Sequence, residues 1–193
     1  SYAIAVAIFE AAVQAKVSKV IVALPAAVLY GEVPARDLPI KEDRERRPVG
    51  VPGVTAQAII ELCEIYRHDH DIEFTVLVLP TVYGPRQQPN NNVVSAFVDA
   101  QSTDSNAVIF GDGKQTRDFL YVDDFVRAVF FSINNKEAIG KIINLGSGNP
   151  LKIKKIIQKI VKIYKKGKPL FGKIKLRKEE MRITYPDISN AKR

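Results

Sequence analysis

The chain has 193 residues, 46% hydrophobic and 26% charged. That composition suits one domain with a small added lobe and excludes a disordered or fibrous polypeptide. A single cysteine, Cys63, excludes an internal disulfide and reads as a buried thiol of a reducing, cytoplasmic compartment. The net charge of +8 is uneven: residues 151–193 hold fifteen Lys/Arg against three Asp/Glu, residues 1–150 fourteen against eighteen.

Residues 1–16, SYAIAVAIFEAAVQAK, predict a helix apolar on nearly all sides and therefore buried on more than one face. Glu10, the short apolar run and the lack of a basic leader argue against a membrane span or a secretory signal. Lys19–Leu24 (KVIVAL) predicts a short buried strand of the parallel kind. Leu29-Tyr30-Gly31-Glu32 leads into a loop from Val33 to Pro48. A helix is expected from about Thr55 to His68, with Ile59, Ile60, Leu62, Cys63 and Tyr66 on its apolar face. Phe74–Leu79 (FTVLVL) is a second buried strand, Gln87–Asn92 a polar loop, and Val93–Asp99 starts a further helix.

The stretch 107–124, AVIFGDGKQTRDFLYVDD, is the most informative. A β-branched run turns on Gly111-Asp112-Gly113, where glycines permit positive φ, and this brings Gln115 and Arg117 to a pocket rim. A guanidinium there can take a phosphate through two hydrogen bonds; pairing of Arg117 with Asp118, Asp123 or Asp124 is the alternative. Asp123 or Asp124 is placed to cap a helix beginning near Phe125 and running to Ile133. Lys141–Leu145 (KIINL) is a third parallel-type strand, ended by Gly146-Ser147-Gly148. Lys152–Tyr164 repeats isoleucine at close to 3.6-residue spacing with lysines between, which reads as a solvated basic face or, alternatively, an anion-binding one. Gly167–Leu176 holds a short strand, and Asp187 opens a last helix.

Strands alternating with helices predict an α/β fold. Three strands of a parallel sheet are evident, but the sequence contains no strand–GxxGxxG–helix unit to cradle a dinucleotide pyrophosphate. His68-Asp69-His70-Asp71 is a weak metal candidate without a third ligand elsewhere, so no metal is assigned. Ser147 lacks the GxSxG spacing and a histidine to activate it.

Taken together, TVLVLPTVYGPRQ (75–87), Val108–Asp124, INLGSG (143–148) and the segment from Arg177 to Lys192 resemble the extended short-chain dehydrogenase/reductase family, in particular its NAD-dependent nucleotide-sugar epimerases and dehydratases. The resemblance covers nearly the whole chain and corresponds to the part after the family's N-terminal glycine-rich half. It implies a partial, C-terminal-half Rossmann-like sheet over residues 1–86, and a small α/β substrate-binding lobe over 87–193. Residues 118–148 would return a helix and a strand to the sheet. The family uses NAD or NADP with a Ser/Thr, a Tyr and a Lys, the tyrosine acting as base beside the lysine.

Alignment puts Ala26 at that serine, Val49 at the tyrosine and Gly53 at the lysine, with Thr81 where an asparagine is usual. None can move a proton or hold a ribose hydroxyl, so no catalytic residue and no cofactor are assigned to this chain alone. The pattern reads as a silent paralogue or a redesigned fragment. The substrate side is better kept: Arg117 and Arg177 match arginines that hold a diphosphate. Asn91, Asn92 and Val93 lie in the loop that meets the nucleotide, and Gln115 lies beside Arg117. Glu179 and Glu180, at the family's Gly-Asp, would repel a diphosphate near Arg177. The expected ligand is a nucleotide sugar. The expected macromolecular partner is a second copy or a complementing N-terminal half, with no role for nucleic acid or membrane. A scaffolding module that self-associates, and a polyanion binder acting through the basic C-terminal segment, are the alternatives.

Overall fold

The computed structural model of the protein describes residues 2–89, 92–106, 108–165, 168–176 and 181–192. The first half runs α1 (Tyr2–Gln14), β1 (Lys19–Pro25), α2 (Ala26–Tyr30), α3 (Gly50–His70), β2 (Glu73–Leu79) and β3 (Thr81–Tyr83). The second runs α4 (Val93–Ser102), β4 (Val108–Phe110), β5 (Thr116–Arg117), β6 (Phe119–Tyr121), α5 (Val122–Asn134) and β7 (Lys141–Asn144). It continues with β8 (Leu151–Lys152), α6 (Ile153–Tyr164), β9 (Leu170–Ile174) and β10 (Ile183–Thr184).

The apolar runs around Val22, Val76 and Ile142 form the central sheet. Its order is β1-β2-β7, with both pairings parallel. β2 lies in the middle, so both its faces are covered, and Phe74, Val76 and Val78 are wholly buried. One face carries α1, α2 and α3 through Phe9, Leu29, Tyr30, Ile60, Cys63 and Tyr66. On the other, α5 packs Phe125, Ala128 and Val129 around Leu77, Leu120 and Leu145. A parallel α/β sheet with partial Rossmann character is therefore present. A second core joins α4 and α6 through Phe97, Ile109, Ile153, Ile157 and Ile160. Around it lie the parallel pair β4-β9 and the short sheet β10-β5-β8.

Several boundaries differ from the sequence-based expectation. α3 starts at Gly50, because Pro52 falls in the first turn, where its missing N–H satisfies no helical bond in any case. Leu29 and Tyr30, expected to lead into a loop, instead close the helical turn Ala26–Tyr30, with Ala26, Leu29 and Tyr30 buried. α5 begins at Val122 with Tyr121 at its N-cap, so Asp123 and Asp124 sit in the first turn beside the positive helix end instead of capping it. β3 and β6, three residues each, pair in parallel.

α1 is buried on one face only, by Phe9 and Ala12; Ile4 and Ile8 stay open at 60% and 55% exposure. β1, expected to be buried, has only Leu24 of its seven residues covered, since β2 flanks one of its edges. No α-helix opens at Asp187. Its N–H donates to the Ile40 carbonyl (2.7 Å), its carboxylate accepts from the Ser189 N–H (2.8 Å), and a 3-10 turn follows at Asn190–Lys192. Among the described residues no helix is long and apolar enough to cross a membrane.

Candidate functional site

Where β1 and β2 end, the chain turns away to either side and leaves a cleft of about 610 Å³. The carboxyl ends of parallel strands are where open α/β sheets take ligands. Pro25–Ala27, Arg117, Asp118, Thr184–Pro186 and Asn92 line it, together with the loop Leu79–Gln87, which lies beside Asp118 because the Thr81 N–H donates to the Asp118 carbonyl (3.2 Å).

The wall containing Arg117 is built from its turn upward. Gly111 and Gly113 sit at φ 68° and 73°, as expected of a glycine turn, and Asp112 accepts from the Lys114 N–H at 3.0 Å. Gln115 is buried, and its amide donates to the Phe110 carbonyl at 2.8 Å. This binds the strand leaving the turn to the strand entering it. β5 then lies between β8 and β10, and the guanidinium of half-buried Arg117 donates to the carbonyls of Thr116 (2.9 Å) and Met181 (2.5 Å).

Asp118, 1% exposed, accepts from the Ser147 N–H (3.0 Å), the Ser147 hydroxyl (2.5 Å) and the Gly148 N–H (3.0 Å). A Cβ at Gly146 would fall 2.5 Å from the same carboxylate, so only glycine admits this approach. Asp118 thus fixes the Gly146–Gly148 turn. Asp124 pairs with Arg127 (3.2 Å).

Of the remaining substrate-side residues, Asn92 lines the cleft but is committed locally. Its side-chain oxygen caps α4 by accepting from the N–H groups of Val94 and Ser95, and its amide donates to the Val82 carbonyl (2.8 Å). Val93 opens α4 and packs into the second core, and Gln115 stands behind the cleft surface. Asn91 and Arg177, with Glu179 and Glu180, lie outside the described residues.

The opposite wall is closed by packing. Ala26 lines the cleft at 5% exposure. Val49 is the N-cap of α3, and its N–H donates to the Val28 carbonyl at 2.8 Å. Gly53 is buried so tightly that a Cβ would meet the Val28 carbonyl oxygen at 2.4 Å and the Pro48 backbone at 3.0 Å. Ala26 alone of these three reaches the cleft. Behind this wall the Tyr30 hydroxyl donates to Asn144 Oδ1 (2.9 Å), and the Asn144 amide donates to the Ile40 carbonyl (2.9 Å). Burial pushes the Tyr30 hydroxyl up to about 12, with the Glu42 charge acting in the same direction.

Elsewhere, His68 pairs with neighbouring Asp69 (2.7 Å), whose hydrogen bond and charge raise the imidazole pKa, while His70 lies against the Tyr66 ring. The cleft also brings in Tyr83 and Arg86, which sequence reasoning quoted within TVYGPRQ but left without a role. Their position just after a parallel strand was the available signal.

A family profile described as "NAD dependent epimerase/dehydratase family" matches residues 1–146. The chain is 31% identical over 179 residues to the UDP-glucuronate 4-epimerase of Thermodesulfobacterium geofontis, spanning 92% of this chain and 53% of that protein. It is similar in structure to the UDP-glucose 4-epimerase of Thermotoga maritima, solved with UDP-glucose. The TM-score is 0.89 at 26% identity, over 97% of this chain and 60% of that one. The UDP-glucuronic acid 4-epimerase of Bacillus cereus, solved with UDP-glucuronic acid and NAD, gives a TM-score of 0.84 at 34% identity over 95% and 57%. The chain spans about half the length of the curated relatives it matches.

Proposed function

This chain belongs to the NAD-dependent epimerase/dehydratase family, and from that premise we propose that it keeps the nucleotide-sugar side of an epimerase cleft and lacks the hydride-transfer side. The contrast between the two walls carries this reading. Arg117 stands in the cleft on a strand organised by Gln115, Asp118 and two glycines. The positions aligned with the family's serine, tyrosine and lysine hold Ala26, Val49 and Gly53, which supply no base and no cation. These residues do not suit a nicotinamide ribose, because the backbone around Gly53 has no room even for a Cβ. The ligand proposed is a nucleoside diphosphate sugar, with its phosphates at Arg117.

Calorimetric titration of the chain with UDP tests the reading. Arg117→Ala should weaken binding roughly ten- to a hundredfold, the loss of a charge-assisted contact. Neutralising Lys154, Lys155, Lys159 and Lys162 should leave it nearly unchanged. UDP affinity that follows those lysines would replace this reading with a polyanion surface. NADH formation with UDP-glucose would overturn the inactive assignment.

A second reading, assembly through apolar surfaces, is favoured by one observation. Phe130 and Phe131 on α5 are 69% and 76% exposed, and Val51 on α3 is 80% exposed. A second copy or a complementing polypeptide would cover them, and a clean monomer by light scattering at tens of micromolar would remove this reading.

A further inference from the structure

The largest concentration of like charge in the molecule lies away from the cleft. From Leu151 to Lys178 the sequence holds twelve Lys/Arg and no Asp or Glu. Within this stretch α6 buries Ile153, Ile157 and Ile160 in the second core and turns Lys154, Lys155, Lys159 and Lys162 outward, all of them exposed. By helical count these four lie within less than half a turn of one another around the axis. None of them is in an ion pair among the described residues, and Asp99, the carboxylate of the neighbouring α4, pairs with none. Lys154 rests on the Phe171 ring (5.7 Å), which leaves its charge uncompensated.

Such a face works against its own helix. Lys155 and Lys159, and Lys159 and Lys162, are like-charged neighbours one turn apart, and such pairs repel. Lys154 and Lys155 also sit in the first turn, at the positive end of the helix dipole, where no acidic residue offsets them. A local rule broken on this scale is the mark of a functional surface, here one completed by negative charge from outside.

The composition of the face chooses among anionic partners. All four cations are lysines, point charges without the planar fork that fixes one phosphate in one geometry, which suits mobile headgroups. Ile163, four residues after Lys159, is 75% exposed at the flank of the lysines. An apolar side chain gains by entering the headgroup region of a bilayer and gains little beside a sugar–phosphate backbone. Tyr164 comes two residues after Lys162 and so lies across the helix from it, leaving no ring among the lysines for a base to stack on. Among the described residues no helix can cross a membrane, but a basic surface that rests on one needs no span.

We propose that the outer face of α6 docks on an anionic lipid bilayer, with its four lysines against the headgroups and Ile163 at their depth. This surface is separate from the cleft and does not rest on the nucleotide-sugar reading.

Co-sedimentation of the whole chain with vesicles tests it, using phosphatidylcholine alone and phosphatidylcholine mixed with phosphatidylglycerol. At low salt the chain should bind the mixed vesicles roughly a hundredfold more tightly than the neutral ones, and should lose most of that binding at about 0.5 M salt. Lys154→Gln, Lys155→Gln, Lys159→Gln and Lys162→Gln together should weaken binding by roughly a hundredfold or more, at about fivefold per lysine. Their thermal midpoint should stay level or rise, because the repulsion along α6 is gone. Arginine at the same four positions should keep the binding, and Ile163→Ser should weaken it several-fold with the salt dependence unchanged. Equal binding to both vesicles, binding to neither, or binding that survives the glutamine substitutions overturns the inference. Tighter salt-sensitive binding to duplex DNA or single-stranded RNA than to the mixed vesicles also overturns it. So does salt-sensitive self-association abolished by the same substitutions, which would assign the face to a second copy. UDP affinity should not move in these variants, so failure here leaves the proposed function standing.

Discussion

The two walls of the cleft are stabilised by different means. The wall of α2 and the start of α3 is held by close backbone packing: Gly31 against the Arg47 carbonyl, Gly53 against Val28 and Pro48, Ala26 sealed at the end of β1. Its polar groups point away from the cleft, Tyr30 to Asn144 and Asn144 to Ile40. The wall of β5 and β6 is held by side-chain hydrogen bonds, Gln115 on Phe110 and Asp118 on the Ser147–Gly148 turn. A wall held by backbone contact leaves no room for reactive side chains. A wall held by polar contacts presents a guanidinium with defined geometry. The difference is the physical basis of the proposed split between a face that recognises ligand and a face without catalytic groups.

The comparison breaks most readily at Gly53. Gly53→Lys places the family's residue type where a Cβ already overlaps a carbonyl oxygen, so it should destabilise the fold by roughly 3–5 kcal/mol through overpacking and charge burial. Urea unfolding measures it. A lysine accepted at little cost would mean that the wall is open and that the hydride-transfer side could be rebuilt.

Second in size is Asp118→Ala. It removes a buried carboxylate that accepts three hydrogen bonds from the exposed Ser147–Gly148 turn. The expected loss is about 2–3 kcal/mol, with Asp118→Asn milder because one acceptor oxygen remains. Equal losses for the two variants would show that packing, not hydrogen bonding, holds this wall as well.

How far the sequence could anticipate this follows from the same contrast. Continuous apolar runs such as FTVLVL betray buried parallel strands, and the Gly111–Gly113 turn is readable because two glycines mark positive φ. The β3-β6 pair was not legible, because three-residue strands carry no period. The start of α3 was missed because Gly-Val-Pro-Gly reads as a break, although Pro52 is harmless in a first turn. Asn92, which the resemblance places in the loop that meets the nucleotide, also caps α4. The capping box with Ser95 was present in the sequence but was outweighed by the resemblance. Arg86 has no role in the sequence reading, because nothing in Tyr83-Gly84-Pro85-Arg86 marks its place in the cleft.

Arg117 sharpens the comparison at the level of affinity. If geometry and not charge alone matters on the hydrogen-bonded wall, Arg117→Lys should recover less than half of the binding free energy lost in Arg117→Ala. An ammonium cannot use two carbonyl anchors and still present a planar fork to phosphate. Full recovery by lysine would reduce that wall to a simple positive charge.

The smallest effect at neutral pH, and the most diagnostic of the packed wall, is Tyr30→Phe. It removes one buried hydrogen bond to Asn144 and should cost about 1 kcal/mol at pH 7. The alkaline limb adds a signature with a definite sign. The folded hydroxyl titrates near 12 and an unfolded tyrosine near 10, chiefly because folding buries the group. Below pH 10 both states are protonated, so Tyr30 adds no pH dependence. Between pH 10 and 12 the unfolded chain releases the proton while the folded chain retains it, so stability falls as pH rises, by about 2–3 kcal/mol in total. Buried Cys63, also pushed up to about 12, contributes a decline of the same sign that begins near pH 9 and persists in the variant. Urea midpoints for both proteins from pH 7 to 11 should therefore converge above pH 10, with Tyr30→Phe the less alkali-sensitive. Two curves that stay parallel would mean that Tyr30 reaches solvent, and that the wall behind the cleft is looser than its contacts imply.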